Sequence, residues 1–129
     1  MSAPNPTLRV LFVCSGNTCR SPLAAIALRA ELGDDAAHIE VGSAGTAASP
    51  DQPASEGSQR VAAAEGFDLS THRARAVTME LAGAADFVFV MSEAHRAAVT
   101  ALGVPREQVH VLSEWPEPGE PELPVFDPF

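Results

Sequence analysis

Hydrophobic and polar positions alternate along the chain between strand-like runs and helix-like stripes. Leu8–Val13, apolar except at Arg9, follows a polar start and reads as a buried strand. Ser21-Pro22 then opens an Ala- and Leu-rich helix to about Leu32, with Gly33 as its stop. His38–Val41 predicts a short strand, Pro53–Glu65 a helix ending at Gly66, and Thr78–Ala84 a short helix capped by Thr78. Phe87–Met91 is a second buried run. Ser92 caps a helix to about Leu102, and Gln108–Leu112 is a last short strand. Two stretches read as loops: Gly45–Gly57, rich in Ala, Ser and Pro, and Glu114–Phe129, with five of the eleven prolines and four Glu. Strands that alternate with helices imply an α/β fold around a parallel sheet.

Length and composition narrow the reading. A chain of 129 residues predicts one domain over 1–129, and 46% hydrophobic residues are enough for one core without staples. No apolar run approaches the roughly 18–20 residues of a membrane span, and none suits a signal peptide. Two cysteines make no disulfide framework, so a cytoplasmic location is expected. The net charge of −9 would repel a phosphate backbone, so neither nucleic acid nor a membrane is expected as partner. The four histidines, at 38, 72, 95 and 110, are scattered without metal-ligand spacing, so no metal or other cofactor is expected. His38, His95 and His110 read as surface or packing residues.

The segment Cys14-Ser15-Gly16-Asn17-Thr18-Cys19-Arg20-Ser21-Pro22 lies between the first strand and the first helix. Ligands of open parallel sheets bind outside the carboxyl ends of strands, and a helix N-terminus offers unpaired N–H groups to an anion. Gly16 and Asn17 suit the backbone angles that curl a short loop, and the Arg20 fork suits phosphate oxygens. The same positive surroundings favour the thiolate of a cysteine at the loop base, which is Cys14. Ser21 is placed to donate its hydroxyl to that sulfur. The segment therefore reads as a phosphate cradle with a nucleophile at its floor.

Nearly the whole chain resembles the low-molecular-weight protein tyrosine phosphatase family. Beyond Cys14–Pro22, the resemblance rests on Val41-Gly42-Ser43-Ala44-Gly45-Thr46, His72-Arg73-Ala74-Arg75, Ala85-Asp86 before the second apolar run, and Asp127-Pro128-Phe129. It implies a four-stranded parallel sheet of order 2-1-3-4 with flanking helices. It also implies a hydrolase that acts on phosphotyrosine in proteins through a phosphocysteine and releases inorganic phosphate. Cys14 would be the nucleophile, Arg20 would bind the phosphoryl oxygens and Asp127 would be the general acid. Ser15, Gly16, Asn17, Thr18, Cys19 and Ser21 would line the phosphate site. Asn17 and Ser43 would hold the loop by hydrogen bonds, and His72 would support it from behind.

Two features depart from the family pattern. Members normally continue past the Asp-Pro-aromatic motif into a last helix, which is expected to be missing here. That absence would uncover Leu23, Ile26, Ala27 and Ala30, a surface on which a homodimer could form. Thr18 stands where tyrosine-specific members often carry a bulky apolar residue, and it resembles the protein-arginine phosphatase branch. Rival readings are an arsenate reductase using an external thiol and a non-catalytic phosphate-binding module.

Overall fold

A computed structural model describes residues 8–33 and 39–114. Four strands, β1 (Leu8–Cys14), β2 (Ile39–Gly45), β3 (Phe87–Val90) and β4 (Val109–Val111), form one parallel sheet of order β2-β1-β3-β4. This is the expected order. Helices α1 (Arg20–Leu32), α2 (Glu56–Ala64), α3 (Met79–Gly83) and α4 (Glu93–Ala101) lie in the connections. The apolar runs of β1 and β3 are buried because the sheet is covered on both faces. Val10, Phe12, Val41 and Phe89 pack on Ala24, Ala25, Leu28 and Leu32 of α1. On the other face Leu11, Val13, Val88 and Val90 meet Ala82 of α3 and Val99 of α4. Phe12 and Phe89 are opposite one another in register and stack at 5.6 Å.

Local signals set most helix ends. Thr78 and Ser92 cap α3 and α4 as expected, their hydroxyls accepting the N–H groups of Leu81 and His95. Gly33, at φ 52°, takes the left-handed angle that ends α1. Helix α2 starts later than Pro53. Ser55 is its cap, its hydroxyl accepting from Ser58 N–H, so Pro53 and Ala54 belong to the preceding loop.

The larger difference is β2, which runs four residues past Val41. Gly42, Ser43 and Ala44 have loop-like composition, yet they pair in register with Leu11, Phe12 and Val13. The strand has one neighbour in the sheet, and guanidinium groups take its carbonyls: Arg29 Nη2 donates to Val41 O (2.6 Å) and Arg75 Nε to Ser43 O (2.9 Å). A Cβ at Gly42 would lie 2.8 Å from Arg75 Nη2, so the glycine admits that arginine. Edge satisfaction from distant side chains overrides the weak local propensity.

The surface expected to be bare is partly used. Leu23 and Ile26 pack, with Phe67, against a small cluster of Ala54, Ala62 and Leu69 beside α2. Ala27 is half-buried and Ala30 exposed. The start of the second strand at His38, the Pro- and Glu-rich tail, Asp127 and Phe129 lie outside the described residues, and so does the expectation about a last helix.

Candidate active site

Chain order places the site. Successive connections leave β1 towards β2 on one side and enter β3 on the other, so the carboxyl end of β1 is a topological switch point. The loop Ser15–Cys19 emerges there, beside the loop that follows β3.

Asn17 organises that loop. Its side chain is fully buried at 0% exposure, and its φ of 56° is left-handed, which Asn tolerates better than most residues. Asn17 Nδ2 donates to Ser21 Oγ (2.8 Å) and Ser43 Oγ (2.9 Å), and Asn17 Oδ1 accepts Arg75 N–H (2.9 Å). His72 Nε2 lies 2.6 Å from the Asn17 carbonyl. One buried amide thus ties the loop to α1, β2 and the segment at 72–75. Loop curvature, expected at Gly16 as well as Asn17, falls on Asn17: of the two only Asn17 has positive φ, and a Cβ at Gly16 would meet Thr18 Oγ1 at an ordinary 3.4 Å.

Cys14 ends β1, buried, with its sulfur 3.0 Å from Ser21 Oγ. Ser21, also fully buried, reaches Ala44 O at 3.4 Å. The Cys14 and Ser15 carbonyls accept the N–H groups of Thr46 and Ala47, both at 2.9 Å, so the end of β2 holds the loop base. Gly45 is what permits this approach. A Cβ there would lie 2.4 Å from Ser15 O and 3.0 Å from Asn17 N. Cys19 occupies the N-cap position of α1 but makes no side-chain cap hydrogen bond, which leaves first-turn N–H groups to serve an anion. Arg20 opens α1 and is exposed.

The far wall comes from the start of α2. Ser55 N–H donates to Thr18 O (2.8 Å), fixing Thr18, and Cys19 Sγ, exposed, donates to Ser55 Oγ (3.3 Å). The Ser55 hydroxyl lowers the Cys19 pKa; burial opposes the effect and Thr18, Ser58 and Arg20 assist it.

Sequence reasoning missed Gly45, Ser55, Arg75 and His95. His95 is not at the surface but buried beside the loop. It is 7% exposed, and its Nε2 lies 2.8 Å from Ser15 Oγ while its Nδ1 lies 2.9 Å from Ser92 Oγ. The usable signal was the Ser92 cap, which places the fourth residue of that turn at the carboxyl end of β3, next to the loop. Burial, and then the Arg20 charge, lower the His95 pKa below its usual value. A depressed folded value stabilises the fold above the unfolded pKa of about 6.5 and loses that contribution as pH falls through the folded value. The melting temperature of the wild type is expected to fall more steeply below pH ~6.5 than that of His95→Gln. A gap between the two that ignored pH would refute the buried neutral imidazole.

Comparison with known proteins agrees with this geometry. The chain is 39% identical over 92 residues to the probable low molecular weight protein-tyrosine-phosphatase EpsP of Ralstonia solanacearum, covering 71% of this chain and 61% of that protein. The chain thus spans about three fifths of the length of that relative. It is 31% identical over 121 residues to the protein-arginine-phosphatase of Bacillus subtilis (strain 168), covering 93% of this chain and 79% of the relative. Among solved structures, a mutant of the YwlE arginine phosphatase with a phosphorylated active-site serine superposes with a TM-score of 0.79 at 30% identity, over 95% of this chain and 79% of that one. The low molecular weight protein tyrosine phosphatase from T. tengcongensis gives 0.77 at 35%, over 84% and 75%. The family model described as low molecular weight phosphotyrosine protein phosphatase matches residues 9–129, and the chain belongs to that family.

Proposed function

We propose that this protein is a cysteine-dependent protein phosphatase that hydrolyses phosphotyrosine through a phosphocysteine intermediate. The observation that carries the reading is the buried Cys14 sulfur, 3.0 Å from the Ser21 hydroxyl, at the base of a loop that opens into a helix N-terminus and Arg20. The Cys14 thiolate attacks phosphorus, forming an S–P bond as the bond to the leaving oxygen breaks. Loop N–H groups and Arg20 hold the three equatorial oxygens. Asp127 gives the leaving oxygen its proton. It then takes a proton from the water that attacks phosphorus, and phosphate leaves as the S–P bond breaks. The Ser21 hydroxyl stabilises the sulfur each time it departs as thiolate. The substrate is a phosphorylated protein, and the chain acts in the cytoplasm. Among the described residues no helix is long and apolar enough to cross a membrane.

A second reading, protein-arginine phosphatase, is favoured by Thr18, whose carbonyl the Ser55 N–H fixes at the loop. Relatives on both branches match this chain, so the two substrates need direct comparison. Side-by-side release of phosphate from phosphotyrosine and phosphoarginine proteins decides between them. Turnover of neither, with phosphate still bound, would end the catalytic reading. Thr18→Ile is expected to shift the ratio of kcat/KM from phosphoarginine towards phosphotyrosine by roughly tenfold to a hundredfold, the scale of a shape-plus-hydroxyl change. An unchanged ratio would remove Thr18 from the selection.

A further inference from the structure

Among the described residues, His95 is a buried titratable side chain beside the loop to which the mechanism gives no task. His95 sits in the first turn of α4, and each of its ring nitrogens has one hydroxyl partner. These are Ser92 on Nδ1 and Ser15, the residue after the nucleophile, on Nε2. We propose that His95 is a positioning residue for phosphoryl transfer, holding Ser15 so that the Ser15 hydroxyl proton is turned to the phosphoryl group bound beside Cys14. The inference rests on the phosphatase reading above.

The direction of the hydrogen bonds follows from counting protons. Ser92 Oγ already accepts the backbone N–H of His95 (3.4 Å) as the cap of α4. Its own proton is then free to go to Nδ1. A neutral ring whose Nδ1 accepts carries its proton on Nε2 and donates it to Ser15 Oγ. Burial and the Arg20 charge favour that neutral ring. With a lone pair engaged by His95, Ser15 O–H has its proton left for an acceptor on the open side of the loop, where the residue is exposed. The backbone leaves Ser15 little freedom, since its carbonyl is held by Ala47 N–H. The resulting chain, Ser92 to His95 to Ser15, runs from the loop after β3 to the loop after β1. It uses the adjacency of those strands to aim a donor at a phosphoryl oxygen.

Two substitutions separate this role from mere packing. The Gln amide nitrogen reaches the place of Nε2, whereas the Asn amide nitrogen reaches only that of Nδ1. His95→Gln is expected to keep kcat/KM within about threefold of wild type. His95→Asn is expected to lose roughly tenfold to a hundredfold, the size of one hydrogen bond to a charged group. In a Ser15→Ala background, His95→Asn should cost almost nothing more. The wild-type ring should show bare Nδ1 and protonated Nε2 in long-range proton–nitrogen NMR. Equal losses for Gln and Asn, losses that follow melting temperature, a full His95→Asn cost in the Ser15→Ala background, or the opposite tautomer would each overturn the assignment. If the wild type hydrolysed neither phosphotyrosine nor phosphoarginine proteins, the phosphatase reading would fail. The same variants compared by inorganic phosphate affinity would then decide whether His95 aims Ser15 at the bound anion.

Discussion

Cys14→Ser is expected to lower turnover below detection while leaving inorganic phosphate or tungstate bound within a few-fold of wild type. A serine hydroxyl at neutral pH is a far weaker nucleophile than a thiolate, and a serine oxygen is a far poorer leaving group from phosphorus, so even a phosphoserine would not turn over. On the proposed mechanism the anion site survives, because it would be made of main-chain N–H groups and Arg20, which the substitution does not touch. The replacement is small, and Ser21 Oγ, 3.0 Å from the native sulfur, remains a hydrogen-bond partner for the new hydroxyl. Isothermal titration with phosphate and a single-turnover assay on the same sample give both numbers. Loss of binding together with turnover would mean that Cys14 shapes the cradle instead of attacking from its floor. Retained turnover would place the nucleophile elsewhere.

Gly45→Ala is the second large effect expected, and it comes from backbone geometry alone. The added methyl would sit 2.4 Å from Ser15 O, 3.0 Å from Asn17 N and 3.0 Å from Ala48 Cβ. Two of these are main-chain atoms of the loop Ser15–Cys19, and neither can swing aside. Gly45 is itself pinned: its N–H donates to Arg75 O (2.9 Å) and its carbonyl accepts Val77 N–H (2.8 Å). The loop must therefore shift. A misplacement near 1 Å costs on the order of a hundredfold in rate, and overpacking costs about 1–3 kcal/mol of stability. Gly57→Ala is the control. Among the described residues a Cβ there meets nothing within 4 Å, and the residue lies inside α2, so Ala should raise stability by about 0.4–1 kcal/mol without changing activity. Wild-type kcat/KM in Gly45→Ala would show that the close approach of β2 to the loop does not set its shape.

The contrast between these glycines shows what was legible in the sequence. The strand–loop–helix unit at Cys14–Pro22 is encoded within ten residues, so the Cys14–Ser21 contact and the helix that follows can be read locally. The Thr78 and Ser92 caps are legible for the same reason, since each hydroxyl meets an N–H three residues on. Strand β2 is different. Gly42-Ser43-Ala44-Gly45 has no strand signal of its own and becomes strand because β1 pairs with it and Arg29 and Arg75 take the carbonyls of Val41 and Ser43. The same distance in sequence hides Gly45, whose tight main-chain contacts, Ser15 and Asn17, are 28 or more positions away, and His95, whose Ser15 partner lies 80 residues earlier. The tolerance of Asn17 for a left-handed angle is legible locally, but the three partners of its side chain are spread over residues 21, 43 and 75.

The central claim is that Cys14 carries the phosphoryl group between substrate and water. Acid quench of the wild type within milliseconds of mixing with a phosphotyrosine or phosphoarginine protein, followed by peptide mass spectrometry, tests it most directly. The expected result is a transient phosphoryl adduct on the Cys14 sulfur that forms and decays at rates matching turnover. Turnover without any adduct on Cys14, or with the adduct on another residue, would contradict the account.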